Sequence, residues 1–266
     1  MTPLLRVWIR GLSLALSLLM LAGCVGGPVL NTRYPSANHD SRIQFVVLHF
    51  TAASLPRSLA LLTRGEVSSH YLIGESPATI YQLVDERRRA WHAGDSEWRG
   101  RTWLNSSSIG IELVNPGFTE TANGRLWHPY APAQIEALIV LLKDIVARYD
   151  IAPEHIVGHS DIAPLRKRDP GPLFPWQQLA QAGLGVWPAA AAVAEQQARF
   201  AERLPSPGWF QQQLRRLGYA TPQTGELDVA TRHVLAAFQM RYRPARFDGQ
   251  PDAQTAALLV ILNQHD

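Results

Sequence analysis

The sequence predicts a mixed α/β fold, a mixed central β-sheet flanked by helices, followed by a small three-helix C-terminal domain. Three observations carry this expectation. Residues 43–50 (Ile-Gln-Phe-Val-Val-Leu-His-Phe) and 109–114 (Ile-Gly-Ile-Glu-Leu-Val) are nearly continuous apolar, β-branched runs, the pattern of strands buried on both faces. Between Pro132 and Tyr149, Ile135, Leu138, Ile139, Leu142, Ile145 and Val146 recur at helical spacing. From Gly183 to Val193 the composition turns Ala-, Gly- and Pro-rich, and three short helical patterns follow.

In chain order, residues 1–23 read as a secretory signal. Arg6 and Arg10 precede a short apolar run, and Leu21-Ala22-Gly23 places small residues before Cys24, the only cysteine. That arrangement resembles a bacterial lipobox, with lipid attached to Cys24. Val25, where inner-membrane-retained lipoproteins carry Asp, points to the outer membrane and a site facing the periplasm. Residues 24–41 read as a tether, rich in Gly, Pro, Asn and Ser. The α/β domain is expected at 42–182, with strands at 43–50, 69–73, 79–84, 109–114 and 155–158. Its helices are expected at 57–63, 132–149 and 176–181, Pro132 suiting a first helical turn. A linker at 183–207 leads to a helical domain at 208–266, with helices at 209–217, 229–242 and 253–262. The loops before the last two helices share Gly and Asp, a sign of weak internal duplication.

Net charge is +3 and falls to +1 once Arg6 and Arg10 leave with the signal, so the basic isoelectric point is no argument for nucleic-acid binding. Arg87-Arg88-Arg89 reads as a solvated turn or a substrate clamp.

The segment from Gly158 to Gly171 holds His159, Lys167 and Asp169 in a stretch broken by Pro164, Pro170 and Gly171, which excludes a regular helix. The chain has 23 arginines and two lysines, Lys143 and Lys167. A compact ammonium between Arg166 and Arg168 does something a guanidinium does not. A hydrolytic zinc site needs about three protein ligands and an open position. His159 and Asp169 are two candidates, and His49, at the end of the first core strand, is the third. Glu112 lies mid-strand between Ile111 and Leu113, where a carboxylate is costly unless paired or working; the alternative is an edge residue facing water. His70, Tyr71, His92 and Asn115 are expected near the groove as substrate contacts. Trp91, Trp98 and Trp103 read equally as core or as sugar-stacking platforms. His155 reads as structural.

Together, Val-Val-Leu-His at 46–49, Ser-His-Tyr at 69–71, Gly-Ile-Glu-Leu at 110–113, Gly-His-Ser-Asp-Ile-Ala-Pro at 158–164 and Arg-Lys-Arg-Asp-Pro-Gly at 166–171 resemble the type 2 N-acetylmuramoyl-L-alanine amidases, over about residues 40–182. These share their fold with peptidoglycan recognition proteins. The resemblance implies one zinc ion per chain on His49, His159 and Asp169, with Glu112 as the catalytic carboxylate and Lys167 beside the scissile carbonyl. It implies hydrolysis of the amide between the lactyl group of N-acetylmuramic acid, or its 1,6-anhydro form, and L-alanine, in cell-wall turnover. Leu165 stands where many members have Gly. Leu-Gly-Tyr at 217–219 and Ala-Phe-Gln at 237–239 resemble a peptidoglycan-binding domain. Peptidoglycan or muropeptides are the expected partners, with the outer membrane through lipid. Two other readings stand beside this one: a non-catalytic wall-binding anchor and a zinc peptidase cutting within the stem peptide.

Overall fold

A computed structural model describes residues 28–264. The signal segment at 1–23 and Cys24 lie outside the described residues. Residues 28–40, the described part of the expected tether, are exposed and carry no helix or strand. From Ser41 the chain forms a separate compact unit that includes the C-terminal helices.

A five-stranded sheet organises that unit. Its strands are β1 (Phe45–Phe50), β2 (Tyr71–Ile73), β3 (Ile80–Gln82), β6 (Ser108–Leu113) and β9 (Ile156–Gly158), in the order β3-β2-β6-β1-β9. All pairs are parallel except β2 with β3, so the sheet is mixed, as expected. Buried strands cannot alternate apolar with polar residues because both faces meet protein. Val46 and Leu48 of β1, Ile109, Ile111 and Leu113 of β6 and Ile156 of β9 point to one face. Helix α2 (Pro132–Tyr149) covers it with Ile135, Leu138, Leu142 and Ile145. Burying a side chain such as Leu138 contributes roughly 2 kcal/mol, so this stripe holds the helix down. Helix α1 (Leu55–Arg64) packs separately, through Leu62 against Leu72 and Val114.

The opposite face continues into the C-terminal region. Phe45, Val47 and Val157 share one core with Leu214, Leu235, Phe238 and Leu259, carried by α6 (Pro207–Leu217), α7 (Val229–Tyr242) and α8 (Ala253–Leu262). Helix α8 is apolar nearly all round and correspondingly buried. The duplication read in the loops is physical. Gln211 Nε2 donates to Thr231 Oγ1 and Glu226 O while its Oε1 accepts from Gly225 N. Gln239 repeats the pattern with Thr255 Oγ1, Gln250 O and Gly249 N. Asp228 and Asp252 cap the helices that follow.

Several elements differ from expectation. Residues 183–207 are not all linker: α5 (Ala190–Glu202) occupies the middle and packs along α8, because an Ala-rich run is a strong helix former once a partner covers one side. Two short pairs escape periodicity: β4 (Glu97–Trp98) with β5 (Arg101–Thr102), and β7 (Phe118–Thr121) with β8 (Gly124–Trp127). Asn123-Gly124 was the available signal for the second, an established turn dipeptide between facing strands. The segment after Gly158 opens with one helical turn, α3 (His159–Ile162), before it becomes irregular. Helix α4 (Trp176–Gln181) follows it, as the spacing predicts. Among the described residues no helix is long and apolar enough to cross a membrane.

Candidate metal and catalytic site

Sheet register places the first two functional side chains. His49 on β1 pairs with Glu112 on β6 in a parallel ladder, so both lie on the face opposite α2, at the C-terminal ends of their strands. One strand over, Leu48 pairs with Gly158, the last residue of β9, and the chain turns directly into α3, beginning at His159. A Cβ on Gly158 would meet Pro170 Cδ at 2.7 Å, so glycine there lets the Asp169-Pro170 segment fold back against β9. The fold-back is held by Ser160 N–H donating to Asp169 O at 2.8 Å.

His49, His159 and Asp169 therefore converge, all buried. His49 Nδ1 lies 2.9 Å from both His159 Nδ1 and Asp169 Oδ2, and His159 Nδ1 lies 3.0 Å from the same carboxylate oxygen. The surrounding hydrogen bonds assign the tautomers. His159 Nε2–H donates to Ala93 O at 3.1 Å, which leaves Nδ1 with a bare lone pair. His49 Nε2 faces His92 Nδ1 at 3.1 Å, His92 Nε2 faces Ser108 Oγ at 3.2 Å, and Ser108 Oγ donates to Leu104 O at 2.6 Å. Because the serine proton goes to the carbonyl, each imidazole in the relay donates outward from Nε2, and His49 also presents a bare Nδ1. Two lone pairs and a carboxylate aimed at one point repel unless a cation lies among them. Two imidazole nitrogens and a carboxylate, each outer ring nitrogen tied to a further partner, are a donor set suited to zinc.

Electrostatics agree with ligand duty. Burial, aided by repulsion from His159, lowers His49 to about 4, so the ring is neutral at physiological pH. Burial also drives His92 well below the ordinary histidine range. Burial alone would raise Asp169, but in the metal-free centre a proton carried on Nδ1 of His159 or His49 would outweigh it, and the carboxylate is held below its ordinary range.

Glu112 stands beside this centre with its Oε2 buried and without a hydrogen-bond partner among the described residues. Burial pushes its carboxyl up to about 8, the negative charge of Asp169 adds to the rise, and Lys167 opposes it. An unpaired carboxyl is expensive to keep. Its position fits a group that takes and returns a proton. Lys167 is partly exposed, within electrostatic reach of both Glu112 and His49, with its backbone N–H tied to Ala163 O.

Each of the four expected groove residues has a partner within the fold. His70 accepts from Gly110 N and faces Arg88 O, pinning strand to loop. Tyr71 points to the α2 face, where its hydroxyl donates to Glu86; alternation along β2 carries it away from Glu112. His92 braces His49. Asn115 donates to His128 O and Pro129 O and accepts from Gly117 N, fixing the turn after β6. Of the tryptophans, Trp98 is core against Tyr219, whereas Trp91 and Trp103 are exposed. Sequence reasoning missed Ser108, the Ala93 carbonyl and Tyr130, whose hydroxyl donates to Pro170 O beside Asp169. None stands in a motif that spacing could flag.

A family model described as N-acetylmuramoyl-L-alanine amidase matches residues 39–172, and one for a peptidoglycan binding domain matches 204–259. The chain is 46% identical over 264 residues to N-acetylmuramoyl-L-alanine amidase AmiD of Escherichia coli, spanning 92% of this chain and 94% of that one. It is similar to the solved complex of E. coli AmiD with anhydro-N-acetylmuramic acid-L-Ala-D-gamma-Glu-L-Lys, with TM-score 0.82 and 45% identity over 90% of this chain and 95% of that one. It is also similar to AmpDh3 from Pseudomonas aeruginosa, with TM-score 0.83 and 39% identity over 91% and 99% of the two chains.

Proposed function

The chain belongs to the N-acetylmuramoyl-L-alanine amidase family, and from that premise we propose that it hydrolyses the lactyl–L-alanine amide of muropeptides at the His49–His159–Asp169 centre. The observation that carries this reading is the convergence of three metal-ligand atoms beside the unpaired carboxyl of Glu112. A non-catalytic wall anchor has no use for that combination. The 1,6-anhydro sugar of the molecules bound in the AmiD and AmpDh3 complexes supports anhydro-muropeptides, released in cell-wall recycling, as the substrate.

His49, His159 and Asp169 would hold one zinc ion. Zinc, when bound, lowers the pKa of a water and polarises a carbonyl. Glu112 accepts the proton from the attacking water and later delivers it to the departing L-alanine nitrogen, so the amide gives a lactyl carboxylate and a free amine. Lys167 places its ammonium where negative charge grows on the carbonyl oxygen. His92, Ser108 and the Ala93 carbonyl hold the two ligand rings in the tautomers the site needs.

Signal cleavage before Cys24, acylation of its thiol and amine, and outer-membrane attachment facing the periplasm complete the reading; several acyl chains anchor stably where one does not. The C-terminal helices supply affinity for peptidoglycan.

Glu112→Gln tests the mechanism. It should retain zinc and lose about two or more orders of magnitude in kcat, since general acid–base catalysis contributes roughly 10²–10⁴-fold. Full activity in a zinc-replete Glu112→Gln protein overturns the assigned role. Palmitate incorporation that persists in Cys24→Ala overturns the anchor.

A further inference from the structure

We infer that Arg241 and Tyr219, both from the C-terminal helical region, are positioning residues for the turn that carries His159. The link is Asp161, two residues beyond His159 within α3 and 1% exposed. Its Oδ2 accepts from Gly158 N–H at 2.8 Å, closing the turn on itself, and from Arg241 Nη1 at 2.6 Å. Its Oδ1 accepts from Tyr219 Oη at 2.7 Å. Arg241 is itself buried, reaches Ile156 O at 3.2 Å with Nη2, and lies 3.9 Å from the ring centre of Trp176. Trp176 also lines the space that a Cβ on Gly158 would need. The span from Ile156 to Asp161 is therefore fastened at both ends by one guanidinium, and its middle is His159.

A module that only grips the cell wall could dock through a solvated rim. Here it inserts a buried cation and a buried phenol into the base of the catalytic half, at the point where strand β9 becomes the ligand-bearing turn. A buried ion pair is poor evidence for stability but a strong geometric constraint, because neither charge can move without being left unpaired in a dry place. Removing Arg241 strands Asp161, which must rotate toward water and drag the Gly158–His159 peptide with it. The His159 Nδ1 lone pair then no longer meets His49 and Asp169.

This inference rests on His159 being a zinc ligand, and the test separates the two claims. Zinc affinity is measured by chelator competition on the full chain, at a temperature where the metal-free protein is folded, alongside thermal midpoints. For Arg241→Met we expect binding at least tenfold weaker, the size seen when groups that orient metal ligands are lost. Arg241→Met combined with Asp161→Asn removes both charges and keeps an acceptor for Gly158 N–H, so it should recover most of that loss. Tyr219→Phe removes one hydroxyl without altering packing and should weaken zinc several-fold, and it carries the test if Arg241→Met does not fold. Lower thermal midpoints with unchanged zinc affinity in Tyr219→Phe and Arg241→Met overturn the inference, reducing the contact to ordinary packing. Absence of zinc binding by the unaltered protein overturns the ligand assignment instead.

Discussion

His49 and Glu112 sit opposite one another in the β1–β6 ladder, so a candidate metal ligand and a candidate proton carrier are fixed by backbone register rather than by loops. A slip of one residue would send either side chain to the α2 face. The pairing explains how two positions 63 residues apart meet at one site.

Gly110, two residues before Glu112 on β6, makes room for the His92 ring: a Cβ there would lie 2.4 Å from His92 Cγ. We predict that Gly110→Ala displaces His92, weakens zinc by roughly tenfold or more and destabilises the fold by about 1–3 kcal/mol. Chelator competition and thermal unfolding check both effects. Native-like zinc affinity would show that His92 does not brace His49.

The relay from His49 through His92 and Ser108 to Leu104 O implies a graded response. His92→Phe, which keeps a ring but no acceptor, should weaken zinc binding more than Ser108→Ala, which leaves His92 in place with a freer tautomer. The reverse order in a competition assay would contradict the relay.

Lys167 should act on the reaction rather than on the metal. We expect Lys167→Ala to retain zinc and lose roughly 10²–10³-fold in kcat, with a smaller change in KM. Lys167→Arg should recover part of the rate, because a planar fork replaces a point charge. A loss confined to KM would make Lys167 a binding group.

Away from the site, Glu86 is buried beneath Tyr71, Tyr149 and Arg148. Burial would raise its carboxyl, but Arg148 and the two phenols outweigh that and hold it below the ordinary value of 4.5. A carboxyl lowered on folding stabilises above its unfolded value, and that stability is lost as pH falls through the folded value. We therefore expect Glu86→Gln to be less stable than the unaltered protein at pH about 7, with the gap in thermal midpoint closing as pH falls below about 4. A gap that widens on acidification would contradict the assignment.

Much of the fold was legible in the sequence because long elements carry their period: the helices at 132–149, 229–242 and 253–262 match the spacing to the residue. The convergence of His49, His159 and Asp169 was legible because His49 ends a buried strand and the other two share one segment broken by Pro164, Pro170 and Gly171. Helix α5 was not, since an Ala-rich run has no stripe of its own and folds on a partner that spacing does not reveal. Tyr71 neighbours His70 in sequence, but strand alternation sends its side chain to the α2 face, away from Glu112. The Asp161–Arg241 pair spans 80 residues and leaves no local trace at all.

The most direct measurement is a product-resolved digest. Anhydro-muropeptide is incubated with zinc-replete, metal-stripped and zinc-restored protein, and the products are weighed by mass spectrometry. We predict a free stem peptide beginning with L-alanine in the first sample, its loss in the second and its return in the third. The same product at the same rate without metal, or fragments cut within the stem peptide, would contradict a zinc amidase built on His49, His159 and Asp169.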